Sequence, residues 1–434
     1  MKIGGAEITP AWVKAKAIKH FLPMGLVSAL ILGLAWPWPG KEISSWKIGD
    51  FRIVQTIDVI IIFFVSGMGM KTGDITAALT AYTSLAYGLV AILGITPLMG
   101  FLMVEIPFSP SEFSTGLALF CCVPTTLTSG VTLVTQAKGN TALALILTVG
   151  SNLLGVLTTP FMLTAVLGEA DISLDATALL LKLVITIFIP LCIGKAFREN
   201  CSPVVDFTAR NKVSLSILNN GCLIMVVWQT ISRSQSTIVE QSAGRLFSMI
   251  AAGILLHCVY LALNGGATHV LKLPWNERKA VWLLTSQKTL PVAITVLSYL
   301  PEEDVGEHGL IAIPCIIGHL SQLFMDAYIC SKWGEMADKE IAAAASALEA
   351  EEERAGEAAS ERIEIGESSK SIVDVAEVAM RLSCDIASEN HTKALEAAGD
   401  QETGAQIKEI EIECITRSSD EPDNGSGAFM AAVQ

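Results

Sequence analysis

Long apolar runs separated by brief polar interruptions occupy the chain from about residue 20 to residue 334. A helix that crosses a bilayer needs about 20 mainly apolar residues. Ten runs reach or approach that length: residues 21–36, 53–70, 77–104, 113–137 and 141–167, then 179–197, 213–231, 247–271, 280–300 and 310–333. The interruptions are short, as at 71–74, 138–140 and 301–304. The seventh run is the weakest, because Asn219, Asn220 and Gly221 break it. The pattern predicts an all-α polytopic membrane protein with ten transmembrane helices in residues 21–334, an N-terminal segment 1–20 and a C-terminal tail 335–434.

Lysine and arginine concentrate in cytosolic loops. With the N-terminus in the cytosol, the inner loops hold 15 of them, from Lys2, Lys14, Lys16 and Lys19 through Lys71 and Lys138 to Lys332 and Lys339, and the outer loops hold 5. Both termini are therefore expected in the cytosol. The first run reads as a span rather than a cleaved signal, since it ends in Trp36-Pro-Trp-Pro39 and not in a small-residue site. Twenty residues that include Glu7 do not make a plastid transit peptide. The expected membrane is the plasma membrane or an endomembrane, with the plastid envelope left open should the N-terminus be incomplete.

Ten spans divide into five and five, and an odd number per half requires the two halves to be inverted repeats. A pair of interrupted apolar segments at corresponding places points to a binding site. The fourth span carries Cys122-Val-Pro-Thr-Thr-Leu-Thr-Ser-Gly130 in its middle, and the ninth carries Thr285-Ser-Gln-Lys-Thr-Leu-Pro291. Pro124 and Pro291 each remove a backbone donor and break the helix. The carbonyls set free must then face a polar partner or a wet cavity. Thr125, Thr126, Thr128 and Ser129 supply hydroxyls on one side, and Ser286, Gln287 and Thr289 supply polar groups on the other. Such a set suits Na⁺ at the carbonyls and hydroxyls, and an anionic substrate at the positive ends of the half-helices. Asn152 adds a further candidate, lining the cavity or joining helices.

Lys288 lies near the centre of its span, where a charge needs a partner. Asp326 in the tenth span is the preferred counter-charge and Asp58 in the second the other. A lysine there forms a structural ion pair, replaces a bound cation, or titrates during transport. His257 and His319 read as hydrogen-bonded contacts between helices.

Charge sharpens the division. The chain has 434 residues and a net charge of −14, yet residues 335–434 contain 24 acidic and 8 basic side chains while the first 334 are nearly neutral. Excess charge and low hydrophobicity predict a mostly disordered tail with transient helix, Ala/Glu-rich over 342–359. An acidic chain with no basic stripe is not a nucleic-acid binder, and its apolar bulk excludes a soluble enzyme. The ten cysteines include no C-x-x-C pair and read as reduced apolar fillers, with no metal cluster among them.

The run Cys121-Cys-Val-Pro-Thr-Thr-Leu-Thr-Ser-Gly-Val131, followed by Gln136-Ala-Lys-Gly-Asn140, resembles the fourth-helix signature of the bile acid:sodium symporter family. The Pro-Thr-Thr variant is most similar to its divergent branch containing solute carrier family 10 member 7. Ser286-Gln-Lys-Thr-Leu-Pro-Val292 and Ile313-Pro-Cys-Ile-Ile-Gly318 resemble the plant chloroplast sodium/metabolite members. The resemblance implies a core domain of spans 3–5 and 8–10, a panel domain of spans 1–2 and 6–7, and Na⁺ near Ser129 and Gln287. Gly130, Leu283 and Lys288 stand where the family carries asparagine, glutamate and asparagine. At least two Na⁺ ligands are therefore missing, and the coupling ion stays open between Na⁺ and H⁺. The expected function is secondary active transport of a small organic anion by alternating access, with the lipid bilayer and that anion as partners, no cofactor and no enzymatic activity. The alternative is a non-transporting membrane sensor acting through the acidic tail, whose partners the sequence does not name.

Overall fold

The computed structural model describes residues 2–3, 6–7, 21–49, 51–70, 81–127 and 129–364. The chain divides into two units, Met1–Gly334 and Glu335–Gln434. Thr128, Lys71 and residues 365–434 lie outside the described residues.

The helices follow the apolar runs. The first run folds as α1 (Phe21–Ala35) and then turns by 96° into α2 (Trp38–Ser45), because Pro37 and Pro39 cannot continue the ladder. A two-residue hairpin, Lys47–Ile48 against Phe51–Arg52, leads into α3 (Ile53–Gly69). Next come α4 (Tyr82–Val104), α5 (Glu112–Cys122), α6 (Ser129–Gln136) and α7 (Thr141–Gly168). The second half holds α8 (Ala176–Asn200), α9 (Ser202–Arg210), α10 (Lys212–Arg233) and α11 (Ala243–Val270). It ends with α12 (Trp275–Ser286), α13 (Leu290–Tyr299) and α14 (His308–Glu364).

Among the described residues, seven segments are long and apolar enough to cross a membrane: α4, α7, α8, α10, α11, the α12–α13 pair and the first part of α14. The bent α1–α2 pair makes an eighth if it is counted as one. α3, with 17 residues, and α5, with 11, are apolar but shorter. The fourth run is short because it is divided between α5 and α6. In the tail, residues 335–364 are helical, a range that includes the Ala/Glu-rich stretch 342–359 and that Ala and Glu at high density favour.

Prolines shape the long helices. In α4 a π-helical turn over Ala91–Ile95 precedes Pro97, and in α8 one over Val184–Phe188 precedes Pro190. A hydroxyl covers the loosened turn in each case: Thr96 Oγ1 donates to the Ala91 carbonyl at 2.8 Å, and Thr186 Oγ1 to that of Lys182 at 2.8 Å. The stretch 136–140 ends one helix and starts the next. Lys138 takes a left-handed φ of 55°, and Asn140 Oδ1 caps α7 by accepting from Leu143 N at 2.9 Å.

Helices α1, α3, α8 and α10 pack on one another, and α4–α7 pack with α11–α13. The α3–α8 contact is backbone to backbone. A Cβ at Gly67 would strike the Leu191 carbonyl, and one at Gly194 would strike that of Phe64. Small residues let membrane helices approach this closely. Gly67→Ala and Gly194→Ala are each expected to lower stability by about 1–3 kcal/mol through overpacking. The double variant should lose less than the sum, since both open the same contact. Thermal unfolding of the purified chain reads this, and additive losses would place the glycines in separate contacts.

Candidate functional site

Both predicted breaks are present, and they touch. α5 stops at Cys122 and α6 starts at Ser129, while α12 stops at Ser286 and α13 starts at Leu290. Between them the backbone is extended, with φ −80°, ψ 156° at Val123 and φ −94°, ψ 150° at Gln287. Thr289 N donates to the Pro124 carbonyl at 2.9 Å, which joins the two breaks directly.

Four consecutive carbonyls of the first break each find a different donor. Cys122 O accepts from Thr159 Oγ1 at 3.2 Å, Val123 O from Lys288 Nζ at 2.9 Å, Pro124 O from Thr289 N, and Thr125 O from Asn152 Nδ2 at 3.0 Å. The second break is treated alike. Leu284 O has lost the amide of Lys288 and accepts from Thr125 Oγ1 at 2.6 Å; Ser286 O faces His257 Nδ1 at 3.2 Å. Gln322 braces the peptide of Lys288, accepting from its N–H at 2.9 Å and donating to its carbonyl at 2.5 Å.

The preferred partnership of Lys288 with Asp326 is corrected by this geometry. Asp326 accepts from Gln287 Nε2 at 2.6 Å and lies 2.8 Å from His257 Nε2. The Lys288 ammonium instead donates to the carbonyls of Val123 and of Ile92, the latter at 3.2 Å. Neighbours on extended backbone point to opposite sides. Gln287 therefore turns toward α14 and Lys288 toward α4. Asp58, the other counter-charge considered, accepts from Gln229 at 3.2 Å in a separate buried pair.

The remaining predicted residues split between framework and cavity. Thr125, Asn152 and Gln287 are consumed in holding the breaks, Gln287 Oε1 accepting from Thr126 Oγ1 at 2.7 Å. Ser286 Oγ donates to Trp282 O and accepts from Asn264, on the side of α11. Thr126, Ser129 and Thr289 line a small cavity of about 30 Å³, together with Pro291, His319, Leu22, Asn219, Asn220 and Leu223. Three buried polar atoms on residues lining this cavity have no partner among the described residues: Thr289 Oγ1, Asn219 Oδ1 and His319 Nε2.

Gln322 Oε1 is fixed as an acceptor by Lys288 N, so its amide nitrogen faces His319 Nδ1 at 2.9 Å, and that ring nitrogen lies 3.3 Å from the Lys288 carbonyl. His319 Nε2 is buried with no partner among the described residues. α6 and α13 begin at the cavity, through Ser129 and Thr289, and bring their positive ends to it. A hydroxyl, an amide oxygen, an imidazole nitrogen and two positive helix ends thus meet at the site. Asn219, Asn220 and His319 were not among the predicted site residues. Their signal was present as polar residues inside apolar runs, but it read as an interruption and as a structural histidine.

Residues 20–335 match the SBF-like CPA transporter family (DUF4137). The chain belongs to this family. It is a membrane transporter and not an enzyme. Two relatives named "Probable sodium/metabolite cotransporter BASS4, chloroplastic" are each 37% identical: that of Oryza sativa subsp. japonica over 328 residues, 73% of this chain and 76% of the relative, and that of Arabidopsis thaliana over 325 residues, 73% of each. "Sodium/bile acid cotransporter 7" of Mus musculus is 24% identical over 321 residues, covering 72% of this chain and 92% of the relative. The match ends where the acidic tail begins.

The crossing predicts a specific sensitivity. Gln287→Leu leaves the Asp326 carboxylate without its amide donor and the Thr126 hydroxyl without its acceptor. Each orphan costs about 1–3 kcal/mol, the charged one at the high end. Thr125→Val removes one hydroxyl donor and should cost about 1–2 kcal/mol. Equal stabilities for the two variants would show that the Gln287 amide does not bridge the helices.

Proposed function

We propose that this member of the family is a secondary active transporter that moves a small organic anion by alternating access. The observation that carries the reading is the polar cavity: the Thr289 hydroxyl, the His319 Nε2 and two helix N-termini converge on it, while among the described residues no carboxylate lines it. Unpaired donors and positive helix ends favour a bound carboxylate or similar anion. Asn219 and Asn220, on the opposite wall, suit a second polar group of the same solute.

Ten spans in two inverted halves accommodate the helices, with the α1–α2 pair as the first span and α5–α6 as the fourth. Two features support this. The breaks fall in the fourth span of each half. Span 1 packs on span 7 and span 2 on span 6, and a repeat that exchanges 1 with 6 and 2 with 7 turns one of these pairs into the other. The panel is then α1–α3 with α8–α10, the core is α4–α7 with α11–α14, and the cavity lies between them. Both termini are placed in the cytosol. The names of the chloroplastic relatives make the plastid envelope the first membrane to examine.

The full chain in sealed vesicles should take up labelled small carboxylates and leave cations of similar size outside. Thr289→Val and His319→Gln should each reduce uptake about tenfold, the effect of losing about 1.4 kcal/mol of binding, with little change in melting temperature. Binding without uptake for every anion tried would reject transport. For topology, tags at residues 1 and 434 should be reachable from the same face of the membrane, and opposite faces would remove the five-plus-five arrangement.

A further inference from the structure

Lys288 is 1% exposed, and its ammonium is held by groups that would equally hold a metal ion. Two ligands are main-chain oxygens left over from broken helices. In a π-helical turn each carbonyl bonds the amide five residues on. For Ile92 that residue is Pro97, which has no N–H, so its oxygen, which accepts from Thr96 Oγ1 at 3.2 Å, keeps a lone pair for Lys288 Nζ at 3.2 Å. Val123 O is freed by the break before Pro124 and lies 2.9 Å away. The Tyr260 ring covers another side, with its centroid 5.9 Å from Nζ. Among the described residues no carboxylate is paired with this ammonium. Neutral carbonyls and an aromatic face, without a counter-charge, make a site for a monovalent cation.

We infer that the Lys288 ammonium is a tethered cation, occupying the place of a bound monovalent ion and making Na⁺ unnecessary at the helix crossing. The surrounding residues agree, because they fit a Na⁺ ion poorly. Both ends of the Gln287 amide are engaged, by Thr126 and by Asp326. Leu283 is wholly buried and offers no oxygen from its side chain. Gly130 has no room for a ligand: a Cβ there would lie 3.0 Å from Gln287 Oε1 and against Leu284. The names of several relatives include sodium; this chain carries its own positive charge instead. The inference rests on the transporter reading only for its consequence, that uptake needs no Na⁺ gradient.

The test reads ion binding by the resting protein, so it stands or falls separately from flux. The purified full chain is melted in NaCl and in N-methylglucamine chloride at equal ionic strength. A ligand that binds only the folded state raises the melting temperature. The wild type should melt at the same temperature in both salts. Lys288→Ala vacates the two carbonyls and should show a saturable, Na⁺-specific rise of a few degrees. Lys288→Met, which fills the space without charge, should show none. Lys288→Ser, with the same expected rise, serves if the alanine variant does not fold. A saturable Na⁺-specific rise in the wild type overturns the inference, as does its absence from whichever of Lys288→Ala and Lys288→Ser folds. A set of variants that folds in neither salt, beside a wild type indifferent to Na⁺, supports it, since the ammonium is then required where no ion can replace it.

Discussion

A peptide carbonyl cannot be left without a donor in hydrocarbon, where the loss runs to several kcal/mol. Two prolines in apolar runs set that condition here, and the surrounding structure answers it. The carbonyls of Cys122, Val123, Pro124 and Thr125 draw in Thr159 and Asn152 from α7, the Thr289 amide from the second break, and the Lys288 side chain. Thr159 and Asn152 are anchored in α7, and Lys288 and Thr289 lie in the break between α12 and α13, so satisfying the first break also fixes α7 and the α12–α13 pair around it. Gly155 allows the approach, since a Cβ there would lie 2.9 Å from Pro124 Cγ. A helix defect of this kind is local in sequence and global in consequence.

The same rule explains why two opposite charges in one buried region remain apart. An ion pair between Lys288 and Asp326 would neutralise both, but it would leave Val123 O without its donor and Ile92 O with only the Thr96 hydroxyl. Separate solutions satisfy more groups. Asp326 gathers Gln287 and His257, and Lys288 gathers two carbonyls and a ring face. Burying a charge is tolerable when hydrogen bonds surround it, and an unpaired one inside a membrane marks a functional region.

What could be read from the sequence was the defect, and what could not was its surroundings. A proline among threonines in an apolar run announces freed carbonyls, so the breaks and the involvement of Thr125, Thr126, Gln287 and Lys288 were legible residue by residue. Their partners were not. Choosing between Asp326 and a carbonyl for Lys288 requires the direction of the side chain, which alternates along extended backbone and cannot be assigned until the helix end is placed to the residue. The cavity wall was hidden for a different reason. Asn219 and Asn220 lie about 90 residues from the first break, and a polar pair in an apolar run is equally what a weak span looks like. The helix through Glu364 was legible in its Ala/Glu-rich part, 342–359, but not in its bounds, because excess acid argues for disorder while Ala and Glu argue for helix.

The two walls of the cavity are held in unlike ways, and this bears on how the proposed cycle proceeds. The wall carrying Thr126, Thr289 and His319 belongs to the network of satisfied carbonyls, and moving one part of it would orphan another. The facing wall meets it at the cavity through Leu22 and Leu223, whose contacts are dispersive and exchange readily, and through Asn219, whose oxygen has no partner to lose. Polar links between the two groups of helices occur farther along, where Arg233 Nη2 meets Glu302 Oε1 at 2.7 Å and Gly309 N donates to Ser234 Oγ at 3.0 Å. Glu302 is partly exposed, so water can replace its link to Arg233 at small cost. A displacement of one helix group against the other therefore breaks the Arg233–Glu302 link where solvent can replace it, while the buried Gly309–Ser234 bond has to be remade within the protein. The crossing is held mainly by hydrogen bonds among its own helices, while α13 also packs on α3, α8 and α10.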